Sequence, residues 1–235
     1  MRLLLISNST NPGEPYLDYP KFNIRDFLGP GIKKTLFLPY AGVTFSYDEY
    51  ADKVQQRFDE IGYKVDPIHR YDDPVEAVMK SEAIIVGGGN TWHLTRMIHE
   101  NNLVDAVREK VLTGTPYVGW SAGSNLACPT IKTTNDMPIT DPKGFHGFNF
   151  IPFQINPHYL DANPEGHAGE TREQRIEEFL VVNPDVFVLG LREGTMLKVI
   201  NRSIELIGPR PARVFKLGRQ PLEIEPGGDL SLLMA

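Results

Sequence analysis

Short apolar runs alternate with longer amphipathic segments through the first half of the chain. The runs at residues 3–7, 35–40 and 83–86 are continuous and end in turn-forming residues, which is typical of strands buried on both faces. Between them, apolar residues recur at helical spacing, as over residues 50–61. This alternation predicts a parallel sheet covered by helices on both faces.

The pattern is less regular after residue 126. Residues 153–156 and 186–191 are predicted to be strands, and residues 171–182 a helix. The remaining β segments are predicted to form a hairpin and its extension: residues 196–200, 203–207, 213–217 and 222–224. The predicted fold is a single α/β domain over residues 1–235. It has a doubly wound, mostly parallel sheet flanked by helices and an antiparallel β extension near the C-terminus.

Composition narrows the classes of function. The 235 residues carry a formal net charge of −6 and no basic run is longer than Lys33-Lys34, so no nucleic-acid partner is expected. The single cysteine, Cys128, cannot form an internal disulfide, which fits a reducing compartment. No apolar run approaches a membrane span, and the N-terminal run is too short for a signal peptide. We therefore expect a cytoplasmic protein without a membrane partner.

The segment 119–123 (GWSAG) matches the nucleophile-elbow pattern G-x-S-x-G. In that motif a sharp turn between strand and helix exposes the serine hydroxyl, and the glycines let neighbouring backbone approach closely. A predicted strand at residues 117–120 and a helix-forming segment from Ala122 supply this context. The motif predicts Ser121 as a nucleophile, and a tight turn with an incidental serine is the alternative.

A second glycine-rich turn, residues 87–91 (GGGNT), also lies between a predicted strand and a predicted helix. Its backbone N–H groups could cradle a phosphate, or one of them could form an oxyanion hole together with the N–H of Ala122. The spacing is neither that of a P-loop nor a convincing dinucleotide fingerprint. A close-packed turn without a ligand is the third interpretation, and the sequence does not choose among them.

His158 is the favoured general base among the six histidines. It follows a short apolar run and would lie at the carboxyl end of a strand, where open α/β sheets place their ligands. Four carboxylates could orient it: Asp136, Asp141, Asp161 and Glu193. Position alone does not distinguish them, and for each one a solvated loop carboxylate is the alternative. No metal-ligand spacing such as H-E-x-x-H occurs, so no metal is expected.

Arg172 has an unusual predicted position. Thr171 and Gln174 predict a capping box at the start of the helix, which puts Arg172 in its first turn. A cation there opposes the helix dipole, and a bound carboxylate would explain it. An ordinary surface arginine is the alternative.

The chain resembles the peptidase E family of α-aspartyl dipeptidases in five segments: residues 84–91, 119–131, 133–139, 154–158 and 169–176. The likeness covers most of the chain and fades toward the C-terminus. It implies a flavodoxin-like fold related to the class I glutamine amidotransferase domain. It also implies a monomer that hydrolyses dipeptides with an N-terminal aspartate, without metal or cofactor.

The resemblance implies catalytic roles for the matching residues. Ser121 would be the nucleophile, His158 the base and Asp136 the acid that orients the base. Gly89 and Ala122 would offer the N–H groups of the oxyanion hole.

Three further residues would contact the substrate by the same resemblance. Arg172 would pair with the aspartate side chain, and Asn90 would also contact the substrate. Glu193 would bind the substrate amino group, and it is a rival for the third position of the triad. The chain departs from the expected family pattern beside Glu193, where Arg192 and Thr195 replace an expected proline and asparagine.

The resulting hypothesis is acyl transfer through an acyl-enzyme on Ser121, with Asp-Xaa dipeptides as substrates. A cyanophycinase-like peptidase for β-linked aspartyl peptides is the nearest alternative on the same scaffold. A non-enzymatic anion-binding module that uses the loop 87–89 is an alternative of another class. The combination of serine, histidine and aspartate argues against the module, because binding alone does not need all three.

Overall fold

The chain folds as an α/β protein in which strands and helices alternate. The computed structural model describes residues 1–166 and 168–234. The strands are β1 (Arg2–Ile6), β2 (Lys34–Leu38), β3 (Lys64–Pro67), β4 (Ile84–Val86), β5 (Pro116–Trp120), β6 (Gln154–Tyr159), β7 (Val188–Arg192), β8 (Met196–Ile200), β9 (Ser203–Ile207), β10 (Ala212–Phe215) and β11 (Leu222–Ile224). The helices are α1 (Lys21–Leu28), α2 (Tyr47–Asp59), α3 (Pro74–Lys80), α4 (Thr91–Glu100), α5 (Leu103–Leu112), α6 (Ala122–Leu126) and α7 (Arg172–Val182). None of the helices in these described ranges has the length and apolar character needed to cross a bilayer.

Seven strands form one sheet in the order β3-β2-β4-β5-β1-β8-β9. The strands from β3 to β1 pair in parallel, whereas β8 and β9 pair antiparallel. Side chains of β1 alternate between two apolar cores, with Leu3 and Leu5 in one and Leu4 and Ile6 in the other. Helices α3 to α6 contribute to the first core, and α1 and α2 to the second. The predicted doubly wound, mostly parallel sheet is confirmed.

A second sheet has four strands in the order β11-β10-β7-β6. Strands β6 and β7 are parallel, whereas β10 runs antiparallel to both β7 and β11. The predicted β8–β9 hairpin is confirmed, but the prediction that β10 and β11 extend it is wrong. Instead, β10 pairs with β7, and Val214 lies opposite Leu189. This edge of β7 is open because β6 pairs with the other edge. The pairing also places the side chains of Val214 and Leu189 in the first core.

Candidate active site

Ser121 occupies the sharp turn between β5 and α6. Its backbone has φ 52° and ψ −110°, a conformation that non-glycine residues rarely adopt and that stores strain. The Ser121 N–H donates to the carbonyl of Ile6 at 2.9 Å. A Cβ on Gly123 would lie 2.3 Å from the Val86 carbonyl oxygen, so the second glycine of the motif is required for close packing. The turn therefore has the geometry of a nucleophile elbow.

The glycine-rich loop after β4 lies directly against this turn. A Cβ on Gly88 would lie 3.1 Å from the Cβ of Ser121, and one on Gly89 would lie 2.2 Å from the Ala41 carbonyl oxygen. Gly89 has φ 136°, which L side chains disfavour. Within the described residues the Gly89 N–H has no acceptor. The N–H of Ala122, the first residue of α6, cannot bond within its helix, so two N–H groups are available near the serine.

His158 reaches Ser121 from the second sheet. It lies at an irregularity in β6 with φ 52°, and its N–H donates to Ser7 Oγ at 3.0 Å. The Ser7 hydroxyl in turn donates to the Leu191 carbonyl at 2.7 Å, so one residue joins the end of β1 to β6 and β7. His158 Nε2 lies 3.0 Å from Ser121 Oγ. The imidazole can accept the serine proton across that distance.

The carboxylate beside His158 is that of Glu193. It lies in the tight turn from β7 to β8, and its Oε1 is 2.7 Å from His158 Nδ1. The turn is held by Gly194, whose N–H donates to Asn8 Oδ1 at 2.8 Å. A carboxylate at Nδ1 favours the tautomer with its proton on that nitrogen, which leaves Nε2 to accept from Ser121.

Asp136 makes a different set of contacts. Its Oδ2 accepts hydrogen bonds from the Thr91 N–H at 2.7 Å, the Thr91 hydroxyl at 2.6 Å and the Thr134 hydroxyl at 3.1 Å. The carboxylate thus lies at the N-terminus of α4, where unpaired N–H groups and the helix dipole favour negative charge. These contacts correct the prediction that Asp136 orients His158, because Glu193 makes that contact.

Ser121, His158 and Arg172 line one polar cleft of about 320 Å³. Its walls are formed by Ser121, Asn125, Thr134, Asn135, Asp136, Pro157, His158 and Arg172. Arg172 is the first residue of α7, behind the capping box of Thr171 and Gln174, which is present as predicted. Burial lowers the pKa of Arg172 and the charge of nearby Arg175 lowers it further, whereas the charge of Asp136 raises it. Within the described part of the chain, no carboxylate forms an ion pair with Arg172.

Asn90 caps α4 and does not line the cleft. Its Oδ1 accepts from the His93 N–H at 3.0 Å, and its Nδ2 donates to the Met137 carbonyl at 2.9 Å. These bonds give Asn90 a structural role beside the site. Contact between Asn90 and a substrate stays a prediction.

Ser7 and Asn135 are among the residues of the site that were not predicted from the sequence. Ser7 positions His158, and the signal available for it was its place at the carboxyl end of a parallel strand, where such sheets gather functional groups. Asn135 lines the cleft and donates from Nδ2 to the Pro157 carbonyl at 2.7 Å. It lies in a polar loop, and no sequence signal distinguishes it from its neighbours.

Arg192, the last residue of β7, is part of a cluster of ion pairs. The buried Arg192 donates to Asp161 at 2.9 Å and to Glu223 at 2.8 Å, and Arg213 pairs with Glu173 at 3.1 Å. These pairs connect β7 with the segment after β6, the β10–β11 hairpin and α7.

No group of three or more His, Cys, Asp or Glu side chains in the described ranges is arranged to hold a metal ion.

The chain is similar to known proteins over nearly its whole length. Residues 3–207 match the profile of peptidase family S51. The chain is 54% identical over 233 residues to peptidase E of Nostoc sp., covering 99% of this chain and 96% of that protein. It is 50% identical over 227 residues to peptidase E of Salmonella newport, covering 97% and 99%. The crystal structure of a peptidase from an acI-B1 actinobacterium matches with a TM-score of 0.70 at 18% identity, covering 96% of this chain and 94% of that one, which shows a shared fold.

Proposed function

The chain belongs to peptidase family S51, and we propose that it is a serine dipeptidase that hydrolyses Asp-Xaa through an acyl-enzyme on Ser121. The observation that carries this proposal is that Ser121 and His158 line the same cleft as Arg172, which has no ion-pair partner among the described residues. The name peptidase E, borne by relatives at 54% and 50% identity, supports the same activity.

In the first step His158 Nε2 takes the hydroxyl proton of Ser121, and Oγ attacks the carbonyl carbon of the N-terminal aspartyl residue. Glu193 holds the opposite ring nitrogen and stabilises the imidazolium that forms. The N–H groups of Gly89 and Ala122 donate to the developing oxyanion. Loss of one such donor typically raises the barrier by about 3 kcal/mol.

The tetrahedral intermediate then collapses. His158 gives its proton to the leaving amine, the C–N bond breaks, and the second residue of the dipeptide departs. A water molecule, deprotonated by His158, attacks the ester carbonyl of the acyl-enzyme. Collapse of this second intermediate returns the proton to Ser121 Oγ and releases aspartate.

Selectivity comes from Arg172 in this proposal. Its planar guanidinium suits a two-point contact with the aspartate side-chain carboxylate. A substrate without that carboxylate leaves the half-buried cation without a partner, and such a loss typically costs about 1–3 kcal/mol or more. The enzyme therefore prefers aspartate to asparagine at the first residue, although the two side chains have nearly the same shape.

We also propose that the enzyme is a cytoplasmic monomer that needs neither metal nor cofactor and acts on small dipeptides. The single, buried Cys128 suits a reducing compartment. Gel filtration of the native protein tests the monomer, and fractionation of cells tests the location.

The deciding experiment measures turnover of Asp-Leu, Glu-Leu, Asn-Leu and β-Asp-Leu with EDTA present, using Ser121→Ala as the inactive control. Rapid cleavage of Asp-Leu alone is expected. Cleavage of β-Asp-Leu alone would replace the proposal with a cyanophycinase-like specificity. No cleavage of any peptide, together with stabilisation of the fold by phosphate, would favour an anion-binding module.

A further inference from the structure

Tyr50, on α2, reaches underneath the glycine-rich loop beside Ser121. Its ring is buried, and its hydroxyl donates to the Gly88 carbonyl at 2.8 Å. The fit is close, since a Cβ on Gly87 would lie only 2.6 Å from the hydroxyl oxygen. The contact has no part in the catalytic roles proposed for Ser121, His158 and Glu193.

The contact fixes a peptide unit of the loop that packs against Ser121. The Gly88 C=O and the Gly89 N–H belong to one planar trans peptide, so the two groups point in opposite directions. A donor that holds the carbonyl on the α2 side therefore aims the Gly89 N–H away from α2. The neighbouring Gly88 is the residue whose Cβ would lie 3.1 Å from the Cβ of Ser121.

We propose that Tyr50 is a positioning residue that sets the orientation of the Gly89 N–H as an oxyanion donor. The inference rests on the proposed function, which assigns that N–H to the oxyanion hole. Three consecutive glycines leave the loop with unusual backbone freedom, so an external contact is needed to hold one peptide orientation. A donor oriented before the reaction stabilises the oxyanion without reorganisation at the moment of attack.

The surroundings of Tyr50 keep its hydroxyl in place as a donor. Tyr16 donates to the Tyr50 oxygen at 3.2 Å, which leaves the Tyr50 proton for the Gly88 carbonyl. The rings of Phe37 and Phe45 meet the Tyr50 ring edge-on, with centroid distances of 5.1 and 5.2 Å. Burial raises the pKa of Tyr50 to about 12, so the hydroxyl stays protonated in the working range of a peptidase. Successive donors also polarise one another, which strengthens the last bond of the chain.

The test removes only the hydroxyl, with Tyr50→Phe. We expect kcat for Asp-Leu to fall about 10-fold with KM nearly unchanged, a smaller loss than deletion of an oxyanion donor would cause. Tyr63→Phe is the matched control, because the buried Tyr63 also donates to backbone carbonyls, those of Arg25 and Gly29, each at 3.0 Å. Tyr63 precedes β3 whereas Ser121 follows β5, so the two lie at opposite ends of the parallel strands, and loss of the Tyr63 hydroxyl should leave kcat as in the native enzyme.

A second measurement separates orientation of the donor from a general loss of structure. A boronic acid analogue of aspartate forms a tetrahedral adduct with the serine, whereas free aspartate does not. In Tyr50→Phe the boronic acid should bind more weakly by the same factor as the fall in kcat, while aspartate binds as before. Unchanged kcat would overturn the inference, and so would an equal weakening of both ligands. If the native enzyme cleaves none of the dipeptides, the proposed specificity fails, not the inference about Tyr50. The rates of the native enzyme and Tyr50→Phe are then compared on hydrolysis of p-nitrophenyl acetate.

Discussion

The two sheets build the candidate active site in different ways. The seven-stranded sheet supplies Ser121 and the glycine-rich loop, where backbone conformation sets the geometry, with φ 52° at Ser121 and φ 136° at Gly89. The four-stranded sheet supplies His158, and the turn that leaves it supplies Glu193. The position of His158 depends on a bond to Ser7, which is 151 positions away in the chain.

This difference predicts that substitutions on the two sides of the site have different effects. Around Ser121, the glycines and the strained serine leave the backbone little room for other conformations, and under the proposed mechanism we expect changes there to act on stabilisation of the oxyanion. On the side of the base, geometry depends on single side-chain contacts between distant segments, so changes there act on proton transfer and on selection of the substrate. Substitutions that keep the backbone intact can therefore test each side separately.

The largest expected effect falls on the side of the base. Glu193→Gln keeps the size of the side chain but removes the charge that stabilises the His158 imidazolium, so kcat should fall about 10³-fold or more. Inhibition by free aspartate should be retained, because Glu193 is not among the described residues that line the cleft; loss of this inhibition would instead support binding of the substrate amino group by Glu193. Steady-state kinetics on Asp-Leu measure this, with the exposed Glu225→Gln as control. If Asp136→Asn abolished turnover in a folded protein while Glu193→Gln kept it, the orienting role would return to Asp136.

A smaller effect is expected on selection of the substrate. Arg172→Met removes the guanidinium charge but keeps much of the apolar stem, so kcat/KM for Asp-Leu should fall about 100-fold and the preference for Asp-Leu over Asn-Leu should collapse. The rate at which a small sulfonyl fluoride modifies Ser121 should stay as in the native enzyme, since the nucleophile side is untouched. Arg175→Met is the matched control. Arg175 is an exposed arginine of the same helix, and its Nη2 lies 3.7 Å from Glu170 Oε2. If Arg172→Met still preferred Asp-Leu to Asn-Leu, Arg172 would not be the residue that selects the substrate.

The sequence was most informative where function depends on local backbone geometry. The GWSAG segment predicted the turn at Ser121, because its two glycines are spaced as close packing requires. The capping box at Thr171 likewise placed Arg172 in the first turn of α7. In both cases the determining contacts lie within a few residues, so the pattern in the chain is enough.

The sequence was least informative where distant segments meet. Four acids were possible partners of His158, and only the fold shows that the β7–β8 turn brings Glu193 to its ring. The pairing of β10 with β7 depends on which sheet edge is open, which no local pattern records. Helix α1 was not among the predicted elements, and its first residue follows Pro20, which provides no side-chain cap.

The smallest expected effect concerns the stability of the second sheet. Arg192→Lys keeps the charge but loses the planar two-point contacts with Asp161 and Glu223, so the free energy of unfolding should fall by about 1 kcal/mol near neutral pH. Hydrogen bonding to Arg192 lowers the pKa of Asp161, although burial opposes the shift. A carboxyl with a lowered pKa in the folded protein stabilises it above the unfolded pKa of about 4 and loses that contribution as the pH falls through the folded value.

The difference between the native protein and Arg192→Lys should therefore stay constant from about pH 8 to pH 5 and shrink below about pH 4. Urea unfolding at a series of pH values measures this, and Arg219→Lys, at an exposed arginine, should show no such trend. A difference that grew on acidification would mean that Arg192 does not act through Asp161.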